Sequence, residues 1–188
     1  SLLSMNKKNF NIVGIEVSKE RRKLAKRITN SPILDINLLD DDPKIGKFHI
    51  ITMFHVLEHL SNPIMFLSKL KDILEPNGRL IVEVPNFNDY QLKLNQMYTK
   101  WHFQRAHIHY FTPRTLKYIL KKAGFKKVGI RGIQRYGIEN MINWKRNGIP
   151  QMDNPSYDLD DGYGWIDKIY KNYLEKKLSC DTIISISS

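Results

Sequence analysis

Three polar side chains follow an apolar segment near residue 50, and their types suit proton transfer. The segment FHIITMF ends at Phe54, and His55, Glu58 and His59 come shortly after it. In a helical stretch these three positions are i, i+3 and i+4 and share one face. Because ligands bind at the carboxyl edge of open α/β sheets, His55 is placed to touch a substrate or to act as a general base.

Two further roles are open for the same group. Glu58 and His59 can order the turn through hydrogen bonds, which is a purely structural role. Together with His55 and a later histidine they can also contribute to a divalent-metal site, since imidazole nitrogens and carboxylate oxygens are ordinary metal ligands. A base or substrate contact at His55 is favoured over a metal, and no metal ligand is assigned.

Two other polar positions stand at the ends of apolar segments. Glu16 closes the segment NIVGIE, where a carboxylate can accept both hydroxyl hydrogens of a ribose; the alternative is a surface acid near a helix start. The cluster HIHYFTP, from His107 to Pro113, follows a later strand and an insertion, so we expect it over the same sheet edge. A histidine there can equally cap the following helix or bond the strand-end turn.

Aromatic residues interleave with cations in the stretch before that cluster. Such a mixture can stack sugar rings or nucleobases, but it more often forms the apolar underside of a lid, and packing is favoured here. The aromatic residues are Tyr90, Tyr98, Trp101, Phe103 and Tyr110, and the cations are Lys100 and Arg105.

The segments around these residues alternate between strand and helix patterns. Apolar runs bounded by turn residues predict strands at 11–16, 33–36, 48–54, 79–84, 125–133 and 181–186. Helices are predicted after Ser18, Asn62 and Thr112, where a capping residue precedes a run with helical spacing, and at 165–177. Alternation of this kind predicts an α/β fold with a mostly parallel sheet.

Composition narrows the class of protein. The 188 residues fit one domain, no apolar run approaches the roughly 20 residues of a membrane span, and no signal peptide is recognisable. A single cysteine, Cys180, excludes an internal disulfide framework and predicts an inert thiol and a reducing, cytoplasmic setting. The net charge of +11 is dispersed along the chain, which favours a solvated surface over a nucleic-acid partner.

Four motifs, in their order and spacing, resemble class I S-adenosylmethionine-dependent methyltransferases, in particular the small-molecule group with an HVLEHL-type motif. They are VGIEVS, FHIITMFHVLEHLSNPIMFLSKLKDILEPNGRLIVEVPN, HYFTPRTLKYILKKAGF and DTIISIS. The resemblance implies an α/β, Rossmann-like methyltransferase sheet, mostly parallel with an antiparallel last strand. The family's first strand and glycine loop are absent from the chain. Residues 1–188 are therefore interpreted as a single, N-terminally incomplete methyltransferase domain with insertions at about 87–111 and 137–163.

The same resemblance implies the reaction and its residues. S-adenosylmethionine is the expected cofactor, with Glu16 on its ribose and with Met53, Phe54 and His55 flanking its methionine end. His55 or His109 is the expected base for a hydroxyl acceptor. Members of this group often act in bacterial surface-sugar and quinone pathways, so the expected acceptor is a small molecule, such as a sugar or a surface-polysaccharide precursor.

The resemblance has one departure and leaves one assignment open. His49 stands where the family usually has an acid after the aromatic residue, a position that is usually structural or near the adenine side. The acidic stretch 35–41 is expected to approach the adenine, without an assignment to one carboxylate.

Two rival classes of function remain. One is a non-catalytic scaffold that kept the fold but lost the cofactor loop. The other is an RNA-modifying methyltransferase, suggested by the charge and by the similarity of HVLEHL to small-RNA 2′-O-methyltransferases, whose Glu-x-x-Glu-His metal motif stands at the equivalent place. Here His55 takes the place of the first Glu of that motif. The acceptor atom and the oligomeric state are not predicted.

Overall fold

The computed structural model describes residues 10–29, 31–39, 45–150 and 162–188. The chain divides into two compact units, residues 1–45 and residues 46–188. The described strands are β1 (Gly14–Ile15), β2 (Ile33–Leu34), β3 (Phe48–Phe54), β4 (Leu74–Pro85), β5 (Val128–Ile133) and β6 (Thr182–Ser187). The described α-helices are α1 (Lys19–Thr29), α2 (Pro63–Asp72), α3 (Gln91–Leu94), α4 (Gln96–His102), α5 (Pro113–Lys122), α6 (Ile138–Asn147) and α7 (Gly164–Lys177). A short 3-10 helix, Leu57–His59, follows β3.

The first unit contains a parallel pair of short strands, β1 and β2, with α1 between them in the chain. Both strands are shorter than the predicted segments 11–16 and 33–36. The Arg22 guanidinium donates to both carboxylate oxygens of Asp35, at 2.7 and 2.6 Å, and this fork ties α1 to the chain after β2. Residues 1–9 and 40–44 lie outside the described residues. The second of these ranges includes the end of the acidic stretch 35–41, which is expected near the adenine.

The second unit is built on a four-stranded sheet in the order β3-β4-β6-β5. β3 pairs with β4 in parallel, whereas β6 pairs antiparallel with both β4 and β5. The strands β3, β4 and β5 therefore share one direction, and β6 alone runs against them. This arrangement confirms the predicted mixed sheet with an antiparallel last strand, and β3 has the predicted bounds.

Two helices with good start signals, α2 and α5, contact each other and the sheet. The Asn62 side chain accepts a hydrogen bond from the Met65 amide, and Thr112 and Thr115 form a capping box at the start of α5. Each cap stabilises its helix by about 1 kcal/mol. The fully buried residues at the centre of this core are Leu67, Leu80, Val82, Val84, Leu116, Leu120 and Ile183.

The junction between α2 and β4 differs from the prediction. The sequence predicts a strand at 79–84, but α2 ends at Asp72 and β4 already begins at Leu74, so Pro76 and Gly78 lie within the strand. A side chain at Gly78 would place its Cβ 2.9 Å from the carbonyl oxygens of Glu75 and Phe48, so only glycine fits this close approach.

Both predicted insertions contain short helices. The stretch 87–111 holds α3 and α4, and the described part of 137–163 holds α6. The Asn95 side chain donates to the Trp144 carbonyl at 2.6 Å, and the Tyr98 and Trp101 rings lie 5.3 and 5.5 Å from the Trp144 ring. The two insertions therefore pack against each other through aromatic faces. No helix in the described ranges is both long enough and apolar enough to cross a membrane.

Candidate active site

The chain turns sharply where β3 ends. His55 has a φ of +51°, and its amide donates to the Glu83 carbonyl on β4 at 3.0 Å. A left-handed conformation at a residue other than glycine costs about 1–2 kcal/mol, so the surrounding contacts must hold it. Strain of this kind is often found at functional sites, where it aims a side chain.

The imidazole of His55 lies between two carboxylates. Its Nδ1 is 3.3 Å from Glu58 Oε1, and its Nε2 is 3.2 Å from Glu83 Oε1. These are ion-pair distances without hydrogen-bond geometry. The His55 side chain is 36% exposed, whereas the Glu58 side chain is 1% exposed. Glu83 also forms an ion pair with the Arg135 guanidinium. The ring is therefore accessible on one side and oriented by charge on the other.

The predicted helical face of His55, Glu58 and His59 is only partly present. The chain forms a single 3-10 turn there, and His59 bonds with a segment that is distant in sequence. The Nδ1 atom of His59 lies 2.7 Å from the Ala106 carbonyl oxygen. The hydrogen-bonding role that the sequence allowed for His59 is thus present, but its partner comes from the first insertion.

Backbone hydrogen bonds attach that segment to the 3-10 helix. The amides of Ile108 and His109 donate to the Glu58 carbonyl at 2.9 and 3.1 Å. They bring the His107 ring to a centroid distance of 4.9 Å from the His59 ring. Burial lowers the pKa of His107, and the negative charge of Glu58 opposes this shift. These two hydrogen bonds therefore bring histidines that are distant in sequence close to the buried carboxylate of Glu58.

A cavity of about 190 Å³ opens beside these groups in the second unit. It combines aromatic faces with hydrogen-bonding and charged side chains, which is the usual character of a site for a polar small molecule. Its lining residues are His55, Pro85, Tyr98, Trp101, His102, Gln104, His107, Arg135, Tyr136, Asp181 and Thr182.

Buried acids form part of the cavity wall or support it. The Asp181 Oδ2 atom accepts from the amides of Arg135 and Tyr136 at 2.9 and 3.2 Å, while its buried Oδ1 has no partner among the described residues. Burial raises the pKa of Asp181. Behind the wall, the Tyr98 hydroxyl donates to Asp89 at 2.5 Å, and burial raises the pKa of Asp89 to about 6. The wall thus contains a buried carboxylate, one oxygen of which has no hydrogen-bond partner among the described residues.

The other predicted site residues occupy varied environments. Met53 is 5% exposed in β3, and Phe54 is half-buried at its end. Glu16, in the first unit, accepts a hydrogen bond from the Ser18 amide at 2.9 Å through Oε1. His109 is half-buried, and its ring lies 5.9 Å from Phe111. Unlike His55, it does not line the cavity.

The sequence did not single out several residues that line the cavity or, in the case of Glu83, contact His55. Glu83, Arg135 and Asp181 were missed because each lies within or beside a strand whose pattern indicates core packing. A partial signal was present at Asp181, an acid directly before an apolar strand. His107 was seen only as part of a polar cluster.

The fold agrees with comparisons to known proteins. A model of the family described as "Methyltransferase domain" matches residues 1–129, and the chain belongs to this family. It is an S-adenosylmethionine-dependent methyltransferase, with S-adenosylmethionine as its cofactor. No curated protein sequence matches the chain.

Solved structures share the fold at low sequence identity. A methyltransferase from Archaeoglobus fulgidus is 15% identical, with a TM-score of 0.64 over 99% of this chain and 80% of that one. A methyltransferase from Thermotoga maritima, described as a possible histamine N-methyltransferase, is 14% identical, with a TM-score of 0.62 over 94% and 72%. The small RNA methyltransferase HEN1 is 16% identical, with a TM-score of 0.53 over 94% of this chain and 20% of that one. These matches support the Rossmann-like methyltransferase fold.

Proposed function

We propose that this methyltransferase methylates a hydroxyl of a small polar acceptor, such as a sugar or a surface-polysaccharide precursor, with His55 as general base. The observation that carries the proposal is the position of His55 at the cavity, with its two ring nitrogens facing Glu58 and Glu83 at 3.3 and 3.2 Å. The two carboxylates orient the ring at the cavity, as a carboxylate orients the imidazole in other general-base sites.

The residues of this chain have a limited chemical task. S-adenosylmethionine supplies a methyl group on a positively charged sulfur: the methyl–sulfur bond breaks as the methyl–oxygen bond forms, and the sulfur becomes a neutral thioether. The protein holds the acceptor oxygen in line with that bond, which is an effect of proximity and orientation. His55 takes the hydroxyl proton, a step that contributes roughly 10²–10⁴-fold. His109 is the alternative base if the acceptor lies deeper against the first insertion.

The chain offers groups that suit the cofactor. Glu16 is proposed to bind the ribose: its Oε1 is held by the Ser18 amide at 2.9 Å, which leaves Oε2 for a hydroxyl donor. Met53, Phe54 and His55 are proposed to contact the methionine end, since they form the carboxyl end of β3. There the Met53 side chain is buried and the Phe54 side chain is half-buried, so apolar groups lie next to His55.

The chemistry of the cavity supports a sugar-like acceptor. Tyr98, Trp101 and Tyr136 provide aromatic faces on which the C–H faces of a ring can pack, and Trp101 is 45% exposed. Asp181 and His107 provide polar atoms for hydroxyl groups. A volume of about 190 Å³ admits only part of a larger molecule, which fits methylation at one end of a precursor.

Calorimetric titration with S-adenosylhomocysteine tests the cofactor assignment. We expect binding by the wild type and at least a tenfold loss of affinity in Glu16→Ala, because the paired ribose hydroxyls lose a charged acceptor. Glu20→Ala is the matched control, since Glu20 is an exposed acid in the first turn of α1. Equal affinity in Glu16→Ala and wild type would remove Glu16 from the site. No binding by the folded wild type would favour the scaffold alternative.

A screen of acceptors tests the substrate class. Transfer from labelled S-adenosylmethionine to nucleotide sugars and to short RNAs is compared in the same assay. Methylation of a sugar supports the proposal, whereas methylation of RNA, with binding that weakens steeply as salt rises, would replace it. The RNA alternative rests on the charge of +11, whose cations are dispersed along the chain. The cytoplasmic location stays a prediction from the single cysteine.

A further inference from the structure

We propose that Glu58, His59 and His107 form a binding site for a divalent transition-metal ion at the edge of the cavity. One ligand atom from each of these residues lies within 4.8 Å of the other two. Bonds of about 2.0–2.2 Å to one ion would draw such atoms to roughly 3.4 Å from each other.

The strongest argument is the state of Glu58. Its side chain is 1% exposed, and neither carboxylate oxygen has a hydrogen-bond partner among the described residues. A buried carboxylate without donors is costly, and such groups are normally paired or bound to a metal. His55 approaches Oε1 at 3.3 Å without hydrogen-bond geometry, so it leaves the carboxylate unsatisfied. A cation shared with two imidazoles would satisfy it.

The two histidines are prepared to act as ligands. The Nδ1 atom of His59 lies 2.7 Å from the Ala106 carbonyl oxygen; because a carbonyl only accepts, this nitrogen carries the proton and Nε2 presents its lone pair. A histidine ligand usually donates its other N–H to a carbonyl or carboxylate in this way. The Nδ1 atom of His107 is buried and has no hydrogen-bond partner among the described residues.

The backbone around the three ligands is fixed. The Glu58 carbonyl accepts from the amides of Ile108 and His109 at 2.9 and 3.1 Å, so the loop that carries His107 is attached to the turn that carries Glu58. Ligands on tethered elements lose little conformational freedom on binding. Two imidazoles and one carboxylate suit Zn²⁺, Mn²⁺ or Co²⁺ better than Ca²⁺ or Mg²⁺, which prefer all-oxygen sites.

The site lies where an ion could act on an acceptor. His107 lines the cavity, and His55 lies 3.3 Å from Glu58. Three protein ligands leave coordination positions open, as in sites where a metal binds a substrate oxygen. The sequence offered a metal only as the weaker alternative, in a set of His55, Glu58, His59 and a later histidine. The structure brings His107 to Glu58 and His59, and the set proposed here does not include His55.

Titration with Co²⁺ tests the site, because the visible absorption of bound Co²⁺ reports its ligands. The full chain is treated with a chelator, dialysed and titrated without S-adenosylmethionine or acceptor. We expect one equivalent to bind with a new visible band, and Zn²⁺ to displace it. His59→Gln and His107→Gln should each weaken binding by about 10–100-fold, and Glu58→Gln should do the same.

The control variant is His49→Gln, which removes an exposed histidine of β3 outside the set. It should bind Co²⁺ like the wild type. Thermal unfolding of each variant confirms that it is folded; His59 is exposed, so its variant is the one expected to fold without difficulty. Absence of a band in the wild type, or equal affinity in folded His59→Gln, would overturn the proposal. Because cofactor and acceptor are absent, this failure would leave the proposed methyl transfer untouched.

Discussion

At the scale of single residues, His55 combines backbone strain with a defined electrostatic environment. Few residues other than glycine adopt a φ of +51°. The hydrogen bond from the His55 amide to the Glu83 carbonyl, at 3.0 Å, helps to hold this conformation. Asparagine tolerates this region better than most residues because its short side chain can bond locally. The strain and the chemistry of this position can therefore be separated by substitution.

His55→Asn should remove activity without unfolding the protein. We expect methyl transfer to fall by roughly 10²–10⁴-fold because the base is lost. The free energy of unfolding should change by no more than about 1 kcal/mol, because Asn accepts a positive φ. Rate and thermal unfolding are measured on the same preparation, with the wild type measured in parallel. Full activity in His55→Asn together with inactivity in His109→Asn would transfer the role of base to His109.

The same scale shows what a sequence cannot reveal. His55 and Glu16 were predicted because each closes an apolar run, which is a local signal. The approach of His107 to His59, at 4.9 Å between ring centroids, depends on two backbone bonds across about fifty residues. The spacing of residue types along the chain does not predict a contact between residues so far apart. Cys180 was predicted to be inert, and it is fully buried, with burial raising its thiol pKa to about 11.

At the scale of elements, two helix ends carry glycines whose need for a glycine differs. Gly148 ends α6 with a φ of +68°, while Gly164 begins α7 with open space around its Cβ position. At Gly148 the nearest atom to an added Cβ would be 3.4 Å away, so space is adequate and the backbone conformation alone opposes a side chain.

Alanine at these two positions should have opposite effects. Gly148→Ala should lower the free energy of unfolding by about 1–2 kcal/mol, because a left-handed conformation opposes a Cβ. Gly164→Ala should raise it by about 0.4–1 kcal/mol through the reduced entropy of the unfolded chain. Urea unfolding of both variants beside the wild type measures the two changes. Equal changes in the two variants would contradict the assigned helix ends.

Strands and helices were predictable where a run of sufficient length was bounded by a clear turn or capping residue. The run Phe48–Phe54 has a strand of the expected bounds, and Asn62 and Thr112 mark the helix starts that they were predicted to mark. In contrast, α3 and α4 are 4 and 7 residues long, too short for a helical period to repeat. The Tyr98 and Trp101 rings of α4 pack against the Trp144 ring of α6, a contact that the local sequence does not encode.

At the scale of the whole molecule, two buried groups make opposite contributions to stability as pH changes. Burial lowers the pKa of His102 to about 4, so the stability it contributes is present above about pH 6.5 and is lost as pH falls toward 4. Burial raises the pKa of Asp89 to about 6, so its folded state keeps a proton that the unfolded state has lost. Asp89 therefore favours folding at low pH, and this contribution is lost as pH rises from about 4 to 6.

Removing either group should expose the effect of the other. His102→Gln should lose less stability than the wild type as pH falls from 6.5 to 4, and Asp89→Asn should lose more. Thermal unfolding at intervals between pH 4.5 and 7.5 gives the two slopes. Parallel profiles for both variants and wild type would show that these groups titrate alike in the folded and unfolded states.

The position of β6 also has a consequence for how the protein is made. This strand lies between β4 and β5 in the sheet but follows both in the chain. Neither β4 nor β5 can therefore pair with β6 while the ribosome is still translating the residues before Thr182. Until then β4 presents an open edge of apolar residues, a surface on which nascent chains aggregate or bind chaperones. Yield in a heterologous host should therefore depend more on translation speed and chaperone supply than on the stability of the finished enzyme.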